Sequence, residues 1–129
     1  MTFSSGSNPG IDFNITFISF VDLPRAVDFY ENVMGFSMLI DQGVCKIYQA
    51  SLTGYVGLVD DEKGFIKAAT TKSTILCFQV PDADAWHEFI QSKEIEIYRE
   101  IKDNIEAKLR CFWIKDTEDH IIEIQSALD

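Results

Sequence analysis

Basic residues are scarce: 11 lysines and arginines stand against 21 aspartates and glutamates, for a formal net charge of −10 over 129 residues. A field of that sign repels nucleic acid and anionic membrane surfaces and favours cationic partners. No apolar run approaches the roughly 18 residues that a spanning helix needs, and no basic segment precedes an apolar one. A membrane protein and a secreted precursor are therefore not expected, and the cytoplasm is the default. Cysteine is also sparse. Cys45, Cys77 and Cys111 are widely separated within apolar, strand-like runs. That spacing excludes a zinc knuckle or a CxxC redox pair and predicts reduced thiols buried as small hydrophobes. No glycine-rich phosphate loop occurs, and neither histidine lies in a serine or cysteine context that reads as a nucleophile–base pair.

What is present is the composition of one globular domain, 47% hydrophobic and 12% aromatic, large enough to bury a core without disulfides or a structural metal. Residues 1–12, rich in Ser, Gly and Asn, read as a frayed tail. Order begins at Phe13, and Asn14-Ile15-Thr16-Phe17-Ile18-Ser19-Phe20 has strand composition. Asp22 caps a helix with Pro24 in its first turn and an apolar stripe at Leu23, Ala26, Val27, Tyr30, Val33 and Met34, which Gly35 stops. Strand candidates follow at 36–40, 44–51 and 55–59, with turn residues between them. The polar stretch 61–72 reads as a linker. The same grammar then returns: a strand at 74–80, a helix capped by Asp82 with Ala83, Trp86, Phe89 and Ile90 inward, and strands at 95–101, 108–114 and 121–125.

Shifting the chain by sixty residues places Ile15 on Ile75, Phe20 on Val80, Asp22 on Asp82 and Phe29 on Phe89. Such a repeat within a small domain is more specific than any single motif. Three consecutive strands after each helix exclude a ferredoxin-like βαββαβ repeat. The pattern predicts an α+β fold of two βαβββ modules, residues 13–60 and 73–126, forming a cupped mixed sheet with the helices outside.

The segment Asp22-Leu23-Pro24-Arg25-Ala26-Val27-Asp28-Phe29-Tyr30, ending at Gly35-Phe36, resembles a signature of the glyoxalase/bleomycin-resistance/extradiol dioxygenase group, the vicinal oxygen chelate superfamily. The closing run Asp116-Thr117-Glu118-Asp119-His120-Ile121-Ile122-Glu123-Ile124 resembles that family's last hairpin, with Thr117 in place of its proline and Asp119 in place of its glycine. Metalloenzymes of this family draw one ligand from the first and one from the fourth strand of each module. The resemblance puts these positions at Ile15, near Gly57, at Ile75 and at Glu123. Only Glu123 can coordinate, and a catalytic site needs about three protein ligands, so no metal and no other cofactor is expected. His87 is read as a solvated helix histidine and His120 as a turn histidine.

Strand alternation sends Ile18, Phe20, Leu76, Phe78, Val80, Ile122 and Ile124 toward the helices. It leaves Phe17, Ser19, Tyr55, Cys77, Gln79, Trp113 and Glu123 to line a ligand groove, an aromatic surface with a few polar handles. An indole beside a carboxylate suits a planar aromatic cation. Three functions follow. The first is metal-independent binding of a small organic molecule, in the manner that bleomycin-resistance proteins give antibiotic resistance. The second is an enzyme of the superfamily, a lyase, isomerase or dioxygenase. The third is a regulatory or structural module without a native ligand. Open sheet edges also predict a homodimer.

Overall fold

The computed structural model describes residues 6–128, so residues 1–5 of the expected tail lie outside the described residues. The chain forms two compact units, with the division after Ala69.

In the first unit, β1 (Asn14–Phe20) leads to α1 (Leu23–Asp28), a π-helical turn (Phe29–Val33), and then β2 (Ser37–Asp41), β3 (Cys45–Gln49) and β4 (Gly54–Asp60). The sheet order is β1-β4-β3-β2. β1 and β4 run parallel from Asn14↔Gly54 to Phe20↔Asp60, and the remaining pairs are antiparallel. The second unit repeats this arrangement with β5 (Ile75–Gln79), α2 (Ala83–Ser92), β6 (Arg99–Asn104), β7 (Leu109–Lys115) and β8 (Ile121–Ala127), in the order β5-β8-β7-β6. Here β5 and β8 are the parallel pair. Two four-stranded mixed sheets, each with one short helical segment between its first and second strands, are the two βαβββ modules read from the repeat.

The caps fall where the aspartates predict. Asp22 accepts from Arg25 N at 3.1 Å and Asp82 from Ala85 N at 3.1 Å, so each helix has one free N–H of its first turn satisfied. One face of each sheet packs on its helical segment. In the first unit Phe20, Ala26, Tyr30, Tyr48 and Leu58 are fully buried, and in the second Ile90, Phe112, Ile114, Ile122 and Ile124 are.

Two elements depart from the expected pattern. The first helix is not regular to Met34. Its last turn is π-helical, with Met34 N bonding Phe29 O at 3.1 Å, and Phe36 N closes on Tyr30 O at 3.0 Å. The wider turn accommodates Phe29 and Tyr30 as adjacent buried rings, 5.1 Å apart and nearly perpendicular. The strand expected at 95–101 begins only at Arg99, and the turn that closes α2 runs on to Ile95. Ile95 N bonds Ile90 O at 3.4 Å and Glu94 N bonds Gln91 O at 3.0 Å, a turn that sets Glu94 at φ +59. Glycine is favoured at this left-handed position after a helix, and glutamate adopts it at a cost. Glu94→Gly is accordingly expected to raise stability by up to about 1 kcal/mol in urea denaturation. A loss of stability would show that the Glu94 side chain holds the helix end.

Candidate functional site

The open face of the first unit's sheet is apolar and largely satisfied from within. Cys45, Ile47 and Val59 form a buried cluster with Ile15 and Tyr55 packed against it. Phe17 lies directly over Gly57, its partner in register: a Cβ at Gly57 would stand 2.4 Å from Phe17 Cδ1. Residues 61–68, in the stretch read as a linker, fold back on this unit. Asp61 N bonds Phe20 O at 2.9 Å, the Ser19 hydroxyl donates to Ile66 O at 3.0 Å, and Phe65 meets Phe17 edge-on at 5.2 Å. Tyr55 carries Phe13 at 4.6 Å and sits 3.4 Å from Gln49 Nε2. Of the groove residues read from the sequence, Phe17, Ser19 and Tyr55 thus already have intramolecular partners here.

The second unit's open face is different. Register aligns Cys77 on β5, Glu123 on β8, Trp113 on β7 and Arg99 on β6 in one row across all four strands. A second row holds Gln79, Gln125, Cys111 and Lys102, with the Gln125 amide donating to Gln79 Oε1 at 2.8 Å. Glu123 is the junction of the first row. The Trp113 indole donates to its Oε1 at 2.6 Å, and the Cys77 thiol donates to its Oε2 at 3.5 Å. Partial burial, and then the adjacent Glu123 carboxylate, push the Cys77 thiol up to about 11, so it stays a neutral S–H donor at neutral pH. Arg99 sets its guanidinium 3.7 Å above the Trp113 ring. Tyr98 stacks beside that ring at 6.4 Å and 19°, and Lys115 Nζ lies 4.0 Å over Tyr98.

Cys77, Gln79, Trp113 and Glu123 therefore gather on one surface, as alternation predicts. Three expectations change. Cys77 is exposed and Cys111 is half-buried, leaving only Cys45 as a buried thiol, because the open face carries no helix over Cys77. His87 is not a solvated histidine. Its Nε2 lies 2.6 Å from Glu100 Oε1 and its ring stands edge-on to Phe112 at 5.1 Å, fastening α2 to the sheet. The cation on Trp113 is the protein's own Arg99 rather than one left for a ligand to supply. Sequence reading missed Arg99 because its meeting with Trp113 depends on strand register across fourteen positions. His120 is the turn histidine expected, with Nδ1 2.9 Å from both Asp116 oxygens.

The family model for the glyoxalase/bleomycin resistance protein/dioxygenase superfamily matches residues 13–124. The chain belongs to this superfamily. Among solved structures, a glyoxalase/bleomycin resistance protein/dioxygenase from Nocardioides shares 15% identity at a TM-score of 0.77, covering 97% of this chain and 87% of that one. The lactoylglutathione lyase of Agrobacterium tumefaciens shares 18% at 0.74, covering 92% and 96%. The genomically encoded fosfomycin resistance protein FosX of Listeria monocytogenes shares 14% at 0.71, covering 97% and 95%. At these identities the likeness shows the fold. No functionally curated protein matches the chain.

The metal that superfamily enzymes hold can be tested against the residues at the corresponding positions. Ile15 and Ile75 offer no donor atom, and the Gly57 position is filled by the Phe17 ring. Glu123, the remaining position, has both oxygens engaged by Trp113 and Cys77. Among the described residues, no three His, Cys, Asp or Glu side chains gather in a way that could hold an ion. The donor set does not fit a divalent metal. No helix among the described residues is long and apolar enough to cross a membrane.

Proposed function

We propose that this superfamily member binds a small organic molecule, without a metal, on the open face of the second unit's sheet. The observation that carries the proposal is the Cys77–Glu123–Trp113–Arg99 row. The carboxylate that would otherwise ligate a metal is instead an acceptor fixing the indole, and the indole plane presents aromatic surface with polar groups around it. The similar folds of the Agrobacterium lyase and the Listeria resistance protein support small-molecule chemistry as the common use of this scaffold. A homodimer belongs to the same reading. It is supported by the edge strand β2, which exposes Met38, Leu39 and Ile40 on a sheet margin that calls for cover.

The test joins metal analysis to a ligand screen. Protein purified without chelators should carry well under one equivalent of Zn, Ni, Mn, Fe or Co. In a thermal-shift screen of small aromatic compounds, a ligand at about 100 Kd should stabilise the fold by roughly 2.7 kcal/mol. Its quench of tryptophan fluorescence should survive Trp86→Phe and vanish in Trp113→Phe. Stoichiometric metal lost on Glu123→Gln would overturn the proposal in favour of a metalloenzyme, and a quench retained in Trp113→Phe would remove the site from this face.

A further inference from the structure

β6 sorts its charges by face. Glu100 and Asp103 engage partners on the α2 side of the sheet: Glu100 reaches His87, and Asp103 accepts from Arg110 Nη1 at 2.9 Å while Arg110 also holds Asp84. Arg99 and Lys102 point to the opposite, open face, since their register partners Trp113 and Cys111 are two apart on β7. Residues three apart on a regular strand face opposite ways. A register shift between Arg99 and Lys102 inserts one extra residue and restores both cations to one side. Lys115, two further along β7 from Trp113, shares that side and lies over Tyr98.

Among the described residues, no carboxylate lies within ion-pair distance of Arg99, Lys102 or Lys115, although acids outnumber bases 21 to 11 in the chain. The one carboxylate in the row, Glu123, makes no ion pair with Arg99: its oxygens are taken by Trp113 and Cys77, and the Trp113 indole lies between the two groups. The field of the pair reaches its neighbours: burial raises the Cys111 thiol and Glu123 adds to this, whereas Lys102 and Arg99 pull it back. The Arg99 guanidinium over Trp113 makes no ion pair among the described residues, and its fork of N–H donors is available to an acceptor. Lys102 brings an ammonium to the adjacent row.

We propose that Arg99 and Lys102 capture the acid group, carboxylate or phosphate, of the organic ligand, with its apolar part against Tyr98 and Trp113. This deepens the proposed function and rests on it. It also reverses the ligand charge that the net −10 of the chain implies. The overall field slows an anion's approach, but it acts over about a Debye length and is screened, whereas the oxyanion contacts are made at hydrogen-bond range.

The experiment is a 1H–15N NMR titration of the full chain at low salt with benzoate, phenyl phosphate, benzyl alcohol and benzylamine. It follows the indole N–H of Trp113, with that of Trp86 as internal reference. Benzoate and phenyl phosphate should shift the Trp113 resonance saturably, at least about tenfold more tightly than the neutral and cationic probes, and more weakly as salt rises. Arg99→Gln combined with Lys102→Gln should erase that preference, and Lys108→Gln, outside the cluster, should retain it. Both altered side chains are exposed, so the double variant should fold as the parent does. If benzyl alcohol or benzylamine binds as tightly as benzoate, or the double variant keeps the preference, the acid-capture inference falls while small-molecule binding stands. If none of the four probes moves the Trp113 resonance, both fall.

Discussion

Replacing Phe112 by alanine is expected to lower the unfolding free energy of the second unit by about 3–5 kcal/mol, a large part of the 5–15 kcal/mol typical of a domain. The ring is fully buried on the α2 side of β7, opposite Ile124, with the His87 imidazole edge-on at 5.1 Å. Truncation removes its contacts with β8 and opens a cavity beneath α2. It also takes away the surface that steers His87 toward Glu100, so the helix loses packing and part of its polar tie together. Both tryptophans, Trp86 and Trp113, lie in this unit, and fluorescence during urea denaturation therefore follows its unfolding. The midpoint should fall with little change in slope. A cost below 1 kcal/mol would mean that Phe112 is not the centre of this core.

Gly57→Val should destabilise the first unit by about 1–3 kcal/mol, the usual range for overpacking. Strand propensity alone gives the opposite sign, because valine favours a β-strand and glycine weakens one. The argument for a loss is steric: any side chain at this position meets the Phe17 ring, whose Cδ1 and Cε1 stand 2.4 and 2.6 Å from the added Cβ. Phe17 is also held from its other side by Phe65, which limits its retreat. Removing the ring should relieve the clash, so Phe17→Ala combined with Gly57→Val should be more stable than the sum of the single changes predicts. The first unit holds no tryptophan, and far-UV circular dichroism is the suitable probe. A neutral or stabilising Gly57→Val would show that Phe17 does not rest on the sheet there.

The features that could be read from the sequence are those written in short-range pattern. The repeated capping aspartates, Asp22 and Asp82, fixed where each helix begins, and the alternation of Ile122, Glu123 and Ile124 told the helix side of β8 from its open side. Absent donors at Ile15, Gly57 and Ile75 were legible as residue identities. What could not be read depends on register or on local irregularity. The π-helical turn at Phe29–Val33 preserves the same apolar stripe as a regular helix, so periodicity cannot reveal it. The bulge in β6 leaves no signature in Arg99-Glu100-Ile101-Lys102-Asp103, where plain alternation assigns Arg99 and Lys102 to opposite faces. His87 looked solvated beside Glu88 because its partners, Glu100 and Phe112, arrive from other strands.

The sheet orders also constrain how the chain folds. In each unit the last strand in sequence lies between the first and the third, so β4 and β8 are interior strands although they are made last. Joining β1 to β4 pairs Asn14 with Gly54, and joining β5 to β8 pairs Ile75 with Ile121, loops of forty or more residues whose closure entropy precedes any reward from the new contacts. The local hairpins β2–β3 and β6–β7 can form early, but the opening strand of each unit waits unpaired until its closing strand arrives. Chain synthesis interrupted before Ile121 would leave β5 without β8, the strand it pairs with, and β7 with one bare edge. Completion of the second unit thus waits for its final strand, the one that also delivers Glu123.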